Sequence, residues 1–179
     1  MTITMDDRYP IGRFVYNGDS SRGAINRSIA DIESLPVLFR AAVDGLNDEQ
    51  LDTPYRDGGW SSRELVHHVA DSHMNAYVRC KLALTMNAPT IIPYDEAKWA
   101  KLPDVKSVPI GVSLNLIDAL HARWAALFRA MPDTEFERTY IHPEQQNPAP
   151  LRVVAALYAW HGRHHTAHIS TLRGRKGWT

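Results

Sequence analysis

Seven of the nine histidines in this 179-residue chain fall in two short clusters: His67, His68 and His73, then His161, His164, His165 and His168. Imidazole is the common metal-ligating side chain and the one that titrates near neutral pH, so the spacing of these residues matters first. His161-x-x-x-His165 places two rings one helical turn apart on one face, where both can reach a single ion. The inward stripe of that segment can be traced as Leu157, His161, His165, His168, Leu172 or as Leu157, His161, His164, His168. Spacing therefore puts His161 inside and leaves His164 and His165 both open. In the first cluster, His68 lies among Leu65, Val69 and Ser72 on the expected buried face. Three imidazoles from two facing helices would leave coordination positions free, as catalytic sites do, whereas structural sites are closed by four ligands. The competing reading is a set of structural or pH-sensitive core histidines, each needing its own hydrogen-bond partner.

Such a site needs long helices to carry it, and the sequence supplies them. Ile25, Ile29, Ile32, Leu35, Leu38, Phe39, Ala42 and Leu46 recur at helical spacing over 24–46, with Pro36 expected to kink the helix or split it at Leu35. Asn47–Gln50 reads as a capped short turn before a loop with Pro54, Gly58 and Gly59. Ser61-x-x-Glu64 is a capping box that opens a helix to about Met86. Residues 87–111 hold four prolines and predict only a short helix near 95–100. Leu116, Leu120, Trp124, Leu127 and Phe128 mark a third long helix over 113–131, followed by a further helical turn within 133–140. The fourth long helix runs from Leu151 to about Arg173. Four long amphipathic helices with almost no strand signal predict an all-α four-helix bundle. It forms a single domain over 1–179, with an extended arm over 1–23 and a long connection between the second and third long helices that permits a crossover.

Composition narrows the function classes. Lys and Arg number 20 against 20 Asp and Glu, with 44% hydrophobic residues, which is ordinary globular chemistry. The balanced charge lacks the basic excess of a nucleic-acid binder. The single cysteine, Cys80, precludes an internal disulfide and a thiolate-rich zinc site. It stands twelve residues after His68, about 18 Å along a helix, so it is expected as buried packing. No run of roughly 18 apolar residues is present to span a membrane, and the acidic start, Met1 to Arg8, is unlike a signal peptide. A cytoplasmic protein is expected.

Longer motifs carry a resemblance. Trp60-Ser-Ser-Arg-Glu-Leu-Val-His67-His68-Val-Ala-Asp71-Ser-His73-Met-Asn75, together with Leu157-Tyr-Ala-Trp160-His161-Gly-Arg-His164-His165-Thr-Ala-His168-Ile169, closely resembles the DinB-like superfamily and, within it, the YfiT-type metal-dependent hydrolases. The likeness extends to Tyr9–Gly12, Leu51–Trp60 and Gly177–Trp178, covering essentially the whole chain. It implies a four-helix bundle, a homodimer, and one divalent metal per chain, zinc or nickel, held by His68, His161 and His165 with water completing the shell. It thereby selects His68 over His67 and His165 over His164. The activity it implies is metal-dependent hydrolysis of a small molecule. Related bundles that use bacillithiol or mycothiol imply the alternative of a thiol S-transferase, and a non-catalytic metal- or ligand-binding bundle is the third reading.

A divalent ion held by three neutral imidazoles can lower the pKa of a bound water to roughly 7, or activate a thiol, and the ligands alone do not choose between them. The acids nearest His68 in sequence are Asp71 and Glu64. Either can serve as a base or orient His68, but Glu64 already completes the capping box, and no catalytic residue is assigned. His73 is expected off the ligand face and partly exposed. His164 and His168 flank the site. His121 and His142 stand alone and are expected at the surface, and Trp60, Trp124 and Trp160 in the core.

Overall fold

The computed structural model describes residues 6–144 and 147–178, so the first five residues of the expected arm lie outside it. The arm stays irregular until Ser21, whose side chain accepts from the Ala24 backbone N–H and caps α1, Arg22–Val43. Of the kink or split expected at Pro36, the split does not occur: α1 is one continuous helix with Pro36 buried inside it. Proline removes the donor that would serve the Ile32 carbonyl four residues earlier. That carbonyl instead accepts from His121 Nδ1 on another helix at 2.5 Å.

The short α2, Asp48–Leu51, begins with the expected cap, a reciprocal pair between Asn47 and Gln50. The Ser61–Glu64 capping box opens α3, Ser62–Thr85, as the sequence predicts. Within the proline-rich connection lie α4, Glu96–Trp99, and α5, Asp104–Ser107, the second of which the sequence pattern missed. The third long helix, α6, spans Ile110–Ala130 and starts directly after Pro109. A 3-10 turn at Asp133–Glu137 and a two-residue pair follow, β1 Thr139–Tyr140 against β2 Ala149–Pro150, antiparallel with Thr139 opposite Pro150. The last long helix, α7, spans Leu151–Lys176 and ends at Gly177 in the left-handed conformation.

Both α6 and α7 pack against α1 and against α3. Successive long helices α1 and α3 are thus diagonal across the bundle, as are α6 and α7, which a plain up-and-down bundle would not allow. Where α1 and α7 cross, they approach so closely that a β-carbon on Gly162 would lie 2.5 Å from a Leu35 methyl. We expect Gly162→Ala to destabilise the fold by about 1–3 kcal/mol, measured by urea unfolding; an unchanged midpoint would show that Leu35 turns aside without cost.

The apolar core falls into two clusters. One holds Ile29, Ile32, Ala76, Trp124, Phe128, Phe136 and Tyr158; the other holds Leu35, Phe39, Leu65, Val69, Ile117 and Ile169. The division comes at the same level on α3, α6 and α7, and a layer of histidines occupies it: His73 on α3, His121 on α6 and His161 to His168 on α7. The bundle is apolar above and below this layer and polar within it.

Candidate metal centre

Three imidazoles converge in that layer. His68 from α3 meets His161 and His165 from α7, and ligating nitrogens of all three lie within 4.8 Å of one another. The Nε2 atoms of His161 and His165 are 3.1 Å apart. Ring centroids stand 5.4 Å apart for His68 and His161, 5.0 Å for His68 and His165, and 4.4 Å for His161 and His165. His68 and His165 are buried and His161 is half-buried. Trp60, half-buried, closes one side with its ring centroid 4.5 Å from that of His68.

Burial sets the electrostatics. Removal from water disfavours the charged imidazolium, holding His68 down at about 4. His161 and His165 lie well below the ordinary histidine value, first through burial and then through their histidine neighbours. Three neutral rings thus present lone pairs, not positive charges, to a shared space. A divalent cation fits this donor set, in which no carboxylate or thiol takes part; imidazole suits zinc, nickel, copper and iron alike.

A second group overlaps the first. His164, His165 and His168, all buried, also bring ligating nitrogens within 4.8 Å. Neither nitrogen of His168 nor Nδ1 of His164 or His165 has a hydrogen-bond partner among the described residues. Aromatic rings wall this side. His164 stacks on Trp160 at 4.4 Å with Tyr9 of the arm at 6.0 Å, and His168 stacks on Tyr55 at 4.0 Å. The arm is held there by an ion pair between Asp7 and Arg175 and by Phe14 against Trp160. Of the tryptophans expected in the core, only Trp124 is fully buried; Trp60 and Trp160 are half-buried beside histidines.

The remaining histidines divide. His67 turns away toward α6, with Nδ1 2.8 Å from Ser113 Oγ. Two expectations fail. His73, expected partly exposed, is completely buried, and so is His121, expected at the surface. Their reason is hydrogen bonding: His73 Nε2 lies 3.0 Å from His161 Nδ1, and His73 Nδ1 lies 2.9 Å from His121 Nε2. A signal for His121 was present in the sequence, since it falls four residues after Ile117 and three before Trp124 on the core stripe of α6. His142 is half-buried and its Nδ1 accepts from the Glu144 backbone N–H.

Glu64 spends its carboxylate on the capping box. Asp71 is different: burial, reinforced by Asp104, raises it to about 6. Cys80 is buried and its thiol is pushed up to about 12 by burial, in keeping with a packing role.

Residues 32–169 match the DinB superfamily. The chain belongs to that superfamily. A protein of Oceanobacillus iheyensis is 51% identical over 174 residues, 97% of this chain and all of that one, and bears the name "putative metal-dependent hydrolase". A Bacillus cereus protein of the same name (strain B4264) is 52% identical over 173 residues, 97% of this chain and 99% of its own. Among solved structures, YfiT from Bacillus subtilis superposes with a TM-score of 0.94 at 44% identity, covering 97% of this chain and 99% of that one. It is described as a probable metal-dependent hydrolase with an unusual four-helix bundle topology. The diagonal order of successive helices found here fits that description, and the expected four-helix bundle is what the chain forms. No described helix is long and apolar enough to cross a membrane.

Proposed function

We propose that this DinB superfamily member is a metal-dependent hydrolase of a small molecule, with one zinc or nickel ion held by His68, His161 and His165. The observation that carries the reading is the convergence on one space of three imidazoles from two helices, two buried and one half-buried and all disfavoured as imidazolium, with no acidic side chain in the group. When bound, such an ion supplies Lewis acidity at neutral pH, and three protein ligands leave room beside it for a reacting group.

The chain's own residues supply the rest. Trp60 presses on His68 and limits its rotation. The stacked rings of Trp160 on His164 and Tyr55 on His168 keep the neighbouring wall apolar, which strengthens electrostatic interactions inside by excluding water. Asp71 sits one turn along α3 from His68, and at about 6 its carboxylate is ionised at neutral pH yet basic enough to accept a proton there.

The experiment is a paired one on metal-loaded protein. Esters and amides are screened for turnover, and low-molecular-weight thiols are screened for protection against thermal unfolding, because a ligand that binds only the folded state raises its melting temperature. Hydrolysis that disappears on chelation, with no thiol protection, is the expected result. Protection by a thiol, with turnover only when an electrophile is added, would replace the hydrolase by a thiol S-transferase at the same ligands. Neither signal would leave a metal-binding bundle without turnover.

A further inference from the structure

We propose that Pro36, His121 and His73 form a positioning relay that fixes the tautomer of His161 and presents its Nε2 lone pair to the metal. This rests on the metal site proposed above and adds to it three residues with no direct place at the ion.

The relay starts from a missing hydrogen. In the middle of α1 the Ile32 carbonyl would accept from the N–H of residue 36, but residue 36 is proline. Ile32 is completely buried, and a buried carbonyl must find another donor. His121 Nδ1, 2.5 Å away, supplies it. A carbonyl only accepts, so the proton of His121 sits on Nδ1.

Each neutral imidazole carries one N–H and one lone pair. Burial keeps His121, His73 and His161 neutral. With its proton on Nδ1, His121 offers a lone pair at Nε2, which accepts from His73 Nδ1 at 2.9 Å. His73 then offers a lone pair at Nε2, which accepts from His161 Nδ1 at 3.0 Å. The proton of His161 is therefore on Nδ1, and its Nε2, which faces His165, is free to ligate. The opposite sense would end with a bare His121 Nδ1 against the Ile32 oxygen, lone pair against lone pair. The carbonyl vetoes it.

The ring planes are held as firmly as the protons. The planes of His73 and His121 lie within 18° of each other, as an in-plane hydrogen bond between the two rings requires, and His73 meets Tyr158 and Trp124 edge-on. A ligating histidine that donates its other N–H gains basicity as well as orientation. Here the acceptor is a second histidine anchored through a third to the backbone of a helix that supplies no ligand.

The test uses full-length protein with 15N-labelled histidine, stripped of metal, and reads each tautomer from long-range proton–nitrogen correlations. The relay predicts Nδ1–H at His121, His73 and His161, retained at His161 when zinc is added while its Nε2 resonance shifts. A proton on Nε2 of His73 or His161 would overturn it, and this readout needs no variant to fold. Zinc affinity, measured by chelator competition, should fall about tenfold or more in His121→Leu. Most of that loss should return in His121→Gln, whose amide keeps one donor and one acceptor. A wild-type protein that binds zinc while His121→Leu binds it equally well would refute the relay alone. A wild-type protein that takes up no zinc would refute the metal site beneath it.

Discussion

His161→Ala and His68→Ala are expected to bind zinc on the order of a hundred- to a thousandfold more weakly than the wild type, while His164→Ala and His67→Ala bind it nearly unchanged. The magnitude follows from dividing the binding free energy of a protein zinc site among its ligands, about 3–4 kcal/mol each. The contrast follows from the geometry. His161 and His68 belong only to the group shared with His165, whereas His164 and His168 belong to the overlapping group. His165→Ala should also lose the ion but does not discriminate, because His165 is common to both. His67 is engaged with Ser113 across the bundle and serves as an internal control for folding. Isothermal titration of each variant checks the pattern. Loss in His164→Ala and His168→Ala with retention in His161→Ala would move the ion to the aromatic-walled group beside the arm.

Acid is expected to unfold the metal-free protein cooperatively between about pH 6 and pH 4. His68, His164 and His168 are each held down at about 4 by burial, and the unfolded chain binds those protons near 6.5. Above pH 6.5 both states are neutral at these rings and stability is unaffected. Below it the unfolded state gains protons that the folded state refuses, so stability falls until the folded value is reached. Each group contributes about 1.4 kcal/mol per pH unit, or about 4 kcal/mol per unit for the three together. Burial also holds His73, His161 and His165 well below the ordinary histidine value, which steepens the fall. Asp71, raised to about 6, works in the opposite direction but is a single half-buried group. Against a typical total of about 5–15 kcal/mol, two pH units suffice. Bound metal holds the rings neutral and should shift the transition to lower pH. Urea unfolding followed by circular dichroism at a series of pH values measures the slope; a flat profile from pH 7 to pH 5 would contradict the buried, neutral state of the layer.

The four long helices, their caps and the two histidine clusters were legible because each rests on local pattern: period 3.6, Ser61-x-x-Glu64, two imidazoles one turn apart. What escaped depended on neighbours. His73 was expected partly exposed because it lies off the face of His68, but α3 is packed by both α6 and α7, so more than one of its faces is buried. The same geometry kept spacing from choosing between His164 and His165. The arm and Trp160 cover the side of α7 that a two-faced helix would leave open, and His164 and His165 are both buried. Pro36 reads locally as a helix breaker. Its place in an unbroken α1 depends on His121, 85 positions later, to satisfy the carbonyl it orphans. The strand pair is two residues long on each side, too short to leave a period in the sequence.

The claim on which the rest depends is that His68, His161 and His165 hold one divalent ion. Elemental analysis of the purified protein, prepared without a histidine tag so that no added imidazole scavenges metal, tests it most directly. About one zinc or nickel per chain is the expected result, absent from His161→Ala prepared in parallel. Wild-type protein with no metal, and no uptake when zinc, nickel or another divalent ion is supplied, would contradict it and make the layer a purely structural, acid-sensitive core.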